Sequence, residues 1–345
     1  VVSDEALERH RELQLGYDAG GRTRRIRGCS LSWDILHEWS HHFVYKRAPF
    51  YLRAGDLTSL PAMIPLMSRA EVASDWVDLP LDAHDTYTTY NIDASAEWVS
   101  MLDSASLLAL DPTVRAKLLR LQSRLGRGQI YPLHVYEEMT KGDPASRLAE
   151  PFTFATENAR MVSLQYEVWC ALRSETRVHW LMSYVSQDDS VCRSAEISGV
   201  TWQAIGQVCG PMPRRLAGTF SARSGPNCFS TTLAAATLDV AVGDRVANLW
   251  LHQEPFLRGL AHLGFRAVGR IIDVGDVAPR SVIVWNDADG RAQHACFVAG
   301  EGWALNKDAQ GWQAPRQLLP LADVVNAWTE PTLTMRLYLS GDPLL

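Results

Sequence analysis

The hexapeptide Gly225-Pro226-Asn227-Cys228-Phe229-Ser230 constrains the fold of this chain more than any other stretch, because it opens into the apolar run 231–242 (TTLAAATLDVAV). Gly and Pro make a turn, and Pro brings a fixed φ and no N–H. Ser224, Asn227 and Ser230 are all capping residue types, so a helix is predicted to start here. The first N–H groups of a helix lack partners within it and carry the positive end of its dipole, so they stabilise an anion. For a cysteine at that position the anion is the thiolate, the reactive form.

The elements around this helix give the class. Helices are predicted near 229–241 and 243–263. Strand-like runs follow at 267–272, 281–285, 293–298 and 303–306, then a short helix at 321–328 and a last strand at 333–339. Helices first and an antiparallel sheet afterwards is an α+β layout. Residues 1 to about 190 read mostly helical, with helical periodicity in 32–45, 94–110, 112–125 and 154–175. Asp111-Pro112 and Asp143-Pro144 place a capping Asp before a first-turn Pro. The stretch 48–92 reads as a long packed loop. A length of 345 residues is long for a single core. The polar, aperiodic segment 186–200 supplies the boundary. The expected domains are 1–195, a helical substrate- or partner-binding domain, and 196–345, a catalytic one.

Composition removes several classes. A net charge of −6 and the lack of a basic stripe argue against nucleic-acid binding. No apolar run is long enough to span a membrane, and the polar start of the chain does not read as a secretory signal. The six cysteines are scattered without CxxC pairs, which disfavours a disulfide scaffold or a zinc ribbon. The expectation is a cytoplasmic enzyme with reduced thiols. Twelve tryptophans predict large buried anchors or a stacking pocket.

Partners for Cys228 lie downstream. His294 falls on a predicted strand, and Asn306 on the strand that returns after Gly300-Glu301-Gly302. Facing positions on antiparallel strands are set by the turn. A turn of three or five residues puts Asn306 opposite His294, and one of four puts Lys307 there. An imidazole can take the thiol proton, and a third polar group must fix its tautomer. Asn306 can do so through its side-chain carbonyl. The Asn227 side chain and the Cys228 N–H are the candidate oxyanion donors. Cys170, Cys192, Cys209 and Cys296 read as small buried apolar residues, and Cys228 is expected to be the most reactive thiol.

Region 205–340 resembles the papain-like cysteine protease superfamily, in particular its compact NlpC/P60-like branch. The resemblance rests on Gly-Pro-Asn-Cys-Phe at 225–229, His294-Ala-Cys-Phe-Val-Ala-Gly-Glu-Gly-Trp303, and Asn306. It implies a cysteine-bearing helix packed on an antiparallel sheet that carries the histidine, with peptidase, amidase or acyltransferase chemistry. A cysteine peptidase or amidase acting on a small amide is one implied activity. The absence of a recognisable signal or wall-binding region, and the helical first half, point instead to acyl transfer inside the cell. In size and layout the chain is similar to the amide-forming condensation enzymes of lincosamide antibiotic biosynthesis. That likeness implies an acidic carrier protein whose phosphopantetheine bears an aminoacyl thioester, a small amine acceptor such as an amino sugar, and no cofactor on the enzyme.

Two other patterns compete. His37-Glu38-Trp39-Ser40-His41 matches the HExxH helix of zinc metallopeptidases, with Asp93 as a possible third ligand. No persuasive strand precedes it, so a structural or pocket role is expected there. Arg24 and Arg25, in the cluster Arg22–Arg27, and Arg214 and Arg215 could dock the acidic carrier; a solvated charge run is the commoner meaning of such clusters.

Overall fold

The computed structural model describes residues 23–26, 28–59, 65–75, 81–87, 92–185, 192–270 and 277–341. They divide into two compact units, 36–185 and 23–35 together with 192–341. The described chain opens with the antiparallel hairpin β1 (Thr23–Ile26) and β2 (Cys29–Ser32), followed by α1 (Trp33–His42).

The first unit contains β3 (Ala48–Leu52), β4 (Met67–Ser68), α2 (Arg69–Asp75), α3 (Leu81–Tyr87), β5 (Trp98–Leu102), α4 (Ser104–Ala109) and α5 (Pro112–Arg124). After these come β6 (Ile130–Pro132), α6 (Leu133–Met139), a 3-10 segment (Pro144–Phe152), β7 (Thr153–Ala155), β8 (Arg160–Ser163), α7 (Tyr166–Ala171) and α8 (Ser174–Val185). Two three-stranded antiparallel sheets, β3-β5-β4 and β6-β8-β7, sit among the helices.

This unit is therefore mixed, and two predicted helices give way. In 94–110 the Asp103 carboxylate accepts from Ser106 N at 2.8 Å, so α4 starts only at Ser104 and the preceding Trp98–Leu102 pairs as a strand. In 154–175 Thr156 N bonds Ala159 O at 2.9 Å, closing a hairpin where a helix was expected. The two Asp–Pro starts are as anticipated. Asp111 accepts from Thr113 N at 2.8 Å ahead of α5, and Asp143 accepts from Ala145 N at 3.1 Å.

The second unit positions the candidate site. Its elements are α9 (Gly199–Cys209), α10 (Met212–Leu216), α11 (Cys228–Ala236), α12 (Val240–Val246), α13 (Gln253–His262), β9 (Phe265–Arg270), β10 (Ser281–Asn286), β11 (Ala292–Gly300), β12 (Trp303–Asn306), β13 (Gln317–Pro320), α14 (Leu321–Ala327) and β14 (Thr334–Ser340). The six strands form one antiparallel sheet in the order β13-β12-β11-β10-β14-β9. On one face Val282, Val284, Ala295, Phe297, Leu305 and Leu318 pack against α11 and against Phe256 and Leu260 of α13. On the other, Ile283, Trp285, Cys296, Val298, Ala304 and Leu319 lie under Leu321, Val324 and Val325 of α14. With both faces covered, β10 and β11 read as apolar runs instead of alternating. Each large apolar side chain so buried stabilises the fold by ~1.5–3 kcal/mol. All nine residues of α11 are buried, which explains why a run so poor in charge can form this helix.

The second unit also claims a piece of the expected first domain. Ser30 N donates to Gly218 O at 2.8 Å, and a Cβ at Gly28 would lie 2.0 Å from the Cys192 carbonyl oxygen. The hairpin thus packs on a segment some 190 positions later, a return that local sequence pattern does not encode. Arg24 and Arg25 consequently belong to the unit that holds Cys228. The Arg24 side chain, and Arg22 and Arg27, lie outside the described residues.

Candidate active site

Asn227 caps α11. Its Oδ1 accepts from Ser230 N at 3.1 Å, and Ser230 Oγ accepts from Asn227 N at 2.9 Å, a reciprocal capping box. The Asn227 Nδ2 donates to Leu251 O at 2.7 Å. This side chain thus holds the helix start and the 248–252 loop, with one of the two Nδ2 hydrogens spent on Leu251 O. The Cys228 backbone N–H, at the first position of the helix, is the other candidate oxyanion donor. Ser224 does not cap either: its Oγ accepts from Trp312 N at 3.2 Å, while Gly225 N donates to Gln310 O at 2.9 Å. These two bonds tie the turn before Cys228 to the loop after β12.

His294 is fully buried on β11. Its Nε2 lies 2.8 Å from Asn306 Oδ1, and Asn306 Nδ2 donates to Asp308 Oδ1 at 2.6 Å. Because Asp308 accepts from the amide nitrogen, the Asn306 oxygen faces the imidazole. Nε2 must then carry the proton, leaving a lone pair on Nδ1. The register differs from both turn alternatives. A bulge at Ala299 follows the pairs Phe297–Leu305 and Val298–Ala304, which places Asn306 two residues from the position facing His294. Those two positions share a sheet face, so the side chains still meet. The Trp328 ring stacks on the imidazole with centroids 3.8 Å apart and planes 5° apart, and Trp285 approaches at 5.3 Å.

The protonation states are set by burial. Desolvation pushes the Cys228 thiol up to about 11, against the opposing pull of the backbone N–H groups of Ala295, Phe229 and Cys228 itself. It pushes His294 down to about 3, with Asn306 opposing. Nδ1 of His294 is buried without a hydrogen-bond partner. Thiol and imidazole are therefore both neutral and not bonded to each other, although the thiol sits against the peptide N–H that follows His294.

The expected thiol ranking changes accordingly. Cys170 is exposed, whereas Cys228 is buried and protonated. Alkylation at neutral pH is expected to modify Cys170 first and Cys228 slowly. Peptide mapping that finds Cys228 labelled first would mean the resting thiolate–imidazolium pair exists. Among the buried thiols, burial also raises Cys209, to about 11, and Cys296. Cys192 departs in the other direction, held down to about 5 chiefly by a hydrogen bond from Cys29.

Three residues of the site carried no sequence expectation of a role there, Asp308, Trp285 and Trp328, and Lys307 was expected only as the alternative to Asn306 opposite His294. Asp308 sits two residues after Asn306, a spacing that could have been read. Trp328 closes a predicted helix and gives no local sign of its destination. Lys307 is fully buried, and its Nζ donates to the carbonyls of Ala309, Gly311 and Ala314 at 2.6, 3.0 and 2.8 Å.

His37 and His41 of α1 bring their Nε2 atoms to 3.3 Å, but Glu38 pairs with His42 at 3.4 Å and Asp93 accepts from Ser95 N at 2.8 Å. Burial, His37 and Arg177 all lower the affinity of His41 for a proton. Among the described residues no three His, Cys, Asp or Glu side chains gather as a metal site, so the set His37, His41 and Asp93 does not assemble. Arg215 of α10 is held by Asp244 at 2.6 and 2.8 Å, and Arg214 lies 5.6 Å over the Trp202 ring. Arg25 is exposed on β1.

No protein-family model matches the chain, and neither a curated protein nor a solved structure shows significant similarity to it.

Proposed function

We propose that the protein is a papain-like cysteine acyltransferase that forms an amide between an aminoacyl thioester and a small amine. The observation that carries this reading is the His294–Asn306 hydrogen bond at 2.8 Å, with the opposite ring nitrogen free and Cys228 beside the same strand. In the first half-reaction the Cys228 thiol gives its proton to His294 Nδ1, and the sulfur attacks the thioester carbonyl. The carbon–sulfur bond to the donor breaks, and the departing thiol takes the proton from the imidazolium. In the second, the amine attacks the acyl-enzyme carbonyl, its proton passes to His294, and Cys228 leaves as the thiol. Exchanging one thioester for another changes little in energy. The Cys228 N–H can meet the developing oxyanion.

Burial favours transfer over hydrolysis. His294 is 0% exposed, Asn306 2% and Cys228 8%. A site that excludes water protects an acyl-enzyme from hydrolysis until an amine arrives. The donor in this reading is an acidic carrier protein bearing phosphopantetheine, and Arg25 and Arg214 are two of the exposed cations on the cysteine-bearing unit that suit it. Among the described residues no helix is long and apolar enough to cross a membrane.

The test is intact-protein mass spectrometry after exposure to aminoacyl pantetheine thioesters, with and without an amine. An acyl adduct lost in Cys228→Ala, and an amide product in excess of free acid, are expected. Free acid as the sole product would make the enzyme a hydrolase. No adduct and no turnover in the wild type would overturn the catalytic reading.

A further inference from the structure

The loop between α12 and α13 is anchored to both catalytic elements. Leu251 O accepts from Asn227 Nδ2 at 2.7 Å, next to Cys228 in sequence. Gln253 Oε1 accepts from Ala292 N at 3.0 Å, two residues before His294 on β11. Further bonds stiffen the approach to the loop. Arg316, itself buried, donates to Ala247 O at 2.5 Å, and Asn248 Nδ2 donates to Asp244 O at 2.8 Å. Leu249 N bonds Val246 O at 3.0 Å.

This fixed loop leaves two of its three large apolar side chains in solvent: Leu249 is 47% exposed and Trp250 44%, while Leu251 packs against the core. The Trp250 ring lies against the exposed His252 ring, centroids 4.5 Å apart and tilted by 52°. Single exposed apolar residues need no explanation. Two adjacent ones, on a loop pinned beside the nucleophile's helix and the base's strand, present a rigid apolar wall. Of the side chains from 248 to 252, only His252 is titratable, so the wall suits an uncharged, carbon-rich group.

We infer that Leu249 and Trp250 form a subsite for an aliphatic side chain on the acyl group delivered to Cys228, and so set which acyl donors react. The inference rests on the acyl-transfer reading for its ligand, and on the loop's anchoring for its place. An apolar group covering these side chains removes their surface from water, at ~0.8 kcal/mol per buried methylene, or about fourfold in rate or affinity for each.

Two parallel series test it in the full-length protein. The first measures single-turnover acylation of Cys228 by N-acetylcysteamine thioesters of alanine, 2-aminobutyrate, norvaline and norleucine. The second measures second-order labelling of Cys228, by peptide mapping, with N-methyl- to N-pentylmaleimide, which needs no acyl transfer. In the wild type both rates are expected to rise with chain length, by up to about fourfold per methylene. Trp250→Ala should flatten both series and Trp250→Phe should largely restore them. Trp250 is exposed, so circular dichroism and the melting temperature should not change. Equal slopes in wild type and Trp250→Ala would overturn the subsite even if acylation proceeds. A Trp250-dependent maleimide series without acylation by any thioester would keep the subsite and remove the acyl-transfer reading. A wild-type dimer in sedimentation that Trp250→Ala dissociates would assign the patch to self-association and overturn the inference.

Discussion

His294→Ala is expected to lower turnover by ~10²–10⁴-fold in a protein that still folds, the usual contribution of a general base. Here the loss should sit toward the upper end. The Cys228 thiol is pushed up to about 11 by burial, so without an acceptor nearly none of it ionises near neutral pH. Asn306→Ala should be milder, because it orients the ring and transfers no proton. The same histidine makes stability depend on pH, and the sign follows from its depressed affinity. His294 titrates near 3 in the fold because burial disfavours its cation, against an ordinary value of 6.5. Its contribution is present in full above ~6.5, where both states are neutral, and is lost as pH falls from there toward 3, where only the unfolded chain takes up the proton. Cys228 acts at the other end. Raised from 9.0 to about 11, its contribution holds below ~9 and is lost as pH rises toward 11. Urea titrations of wild type and His294→Ala between pH 4 and 7 should therefore differ in slope against pH, the variant losing less stability as the pH falls. Turnover within a few-fold of wild type in the folded variant would remove His294 from the mechanism.

What the sequence disclosed follows from how local each signal is. The strands predicted at 281–285, 293–298 and 303–306 and the helix at 321–328 match β10, β11, β12 and α14 to within two residues. Their boundaries are marked by Asp-Gly, Gly-Glu-Gly and Pro turns, which act over a few residues. The Asn227 cap was legible for the same reason. The second-half helices were less so. Asp239 accepts from Val242 N at 2.9 Å and starts α12, so the helix expected over 229–241 ends at Ala236, and 243–263 splits before α13. Chemistry that depends on distance in sequence was hidden. A bulge at Ala299 shifts the register by a step that no residue type announces, and the Trp328 stack on His294 joins positions 34 apart. The thiolate expectation turns on a quantity a sequence does not carry: the desolvation cost of the surrounding packing, which raises the Cys228 thiol against the pull of the N–H groups at the helix start.

Lys307→Met is expected to destabilise the second unit by about 2–4 kcal/mol, the other large effect. Methionine keeps the length and apolar bulk of the lysine stem but has no donor, so the carbonyls of Ala309, Gly311 and Ala314 lose their shared partner. A buried acceptor stripped of its hydrogen bond costs ~1–3 kcal/mol, reduced here to the extent that the loop can turn a carbonyl toward water. The urea midpoint should fall with little change in the slope against denaturant. Activity should fall too, by a route that stability alone does not explain. The loop that Lys307 gathers carries Gln310 and Trp312, which hold Gly225 and Ser224 ahead of Cys228, and it follows Asp308, which orients Asn306. Loosening it frees the cysteine's turn and the histidine's partner together, so kcat should drop at temperatures where the variant remains folded. Lys307→Arg should not rescue either property. A planar guanidinium spreads its donors over a fixed fork and cannot aim three of them from one nitrogen at three carbonyls. Wild-type stability in Lys307→Met would show that the carbonyls find water without cost. Full activity in a destabilised variant would confine Lys307 to the fold and separate its loop from the catalytic geometry.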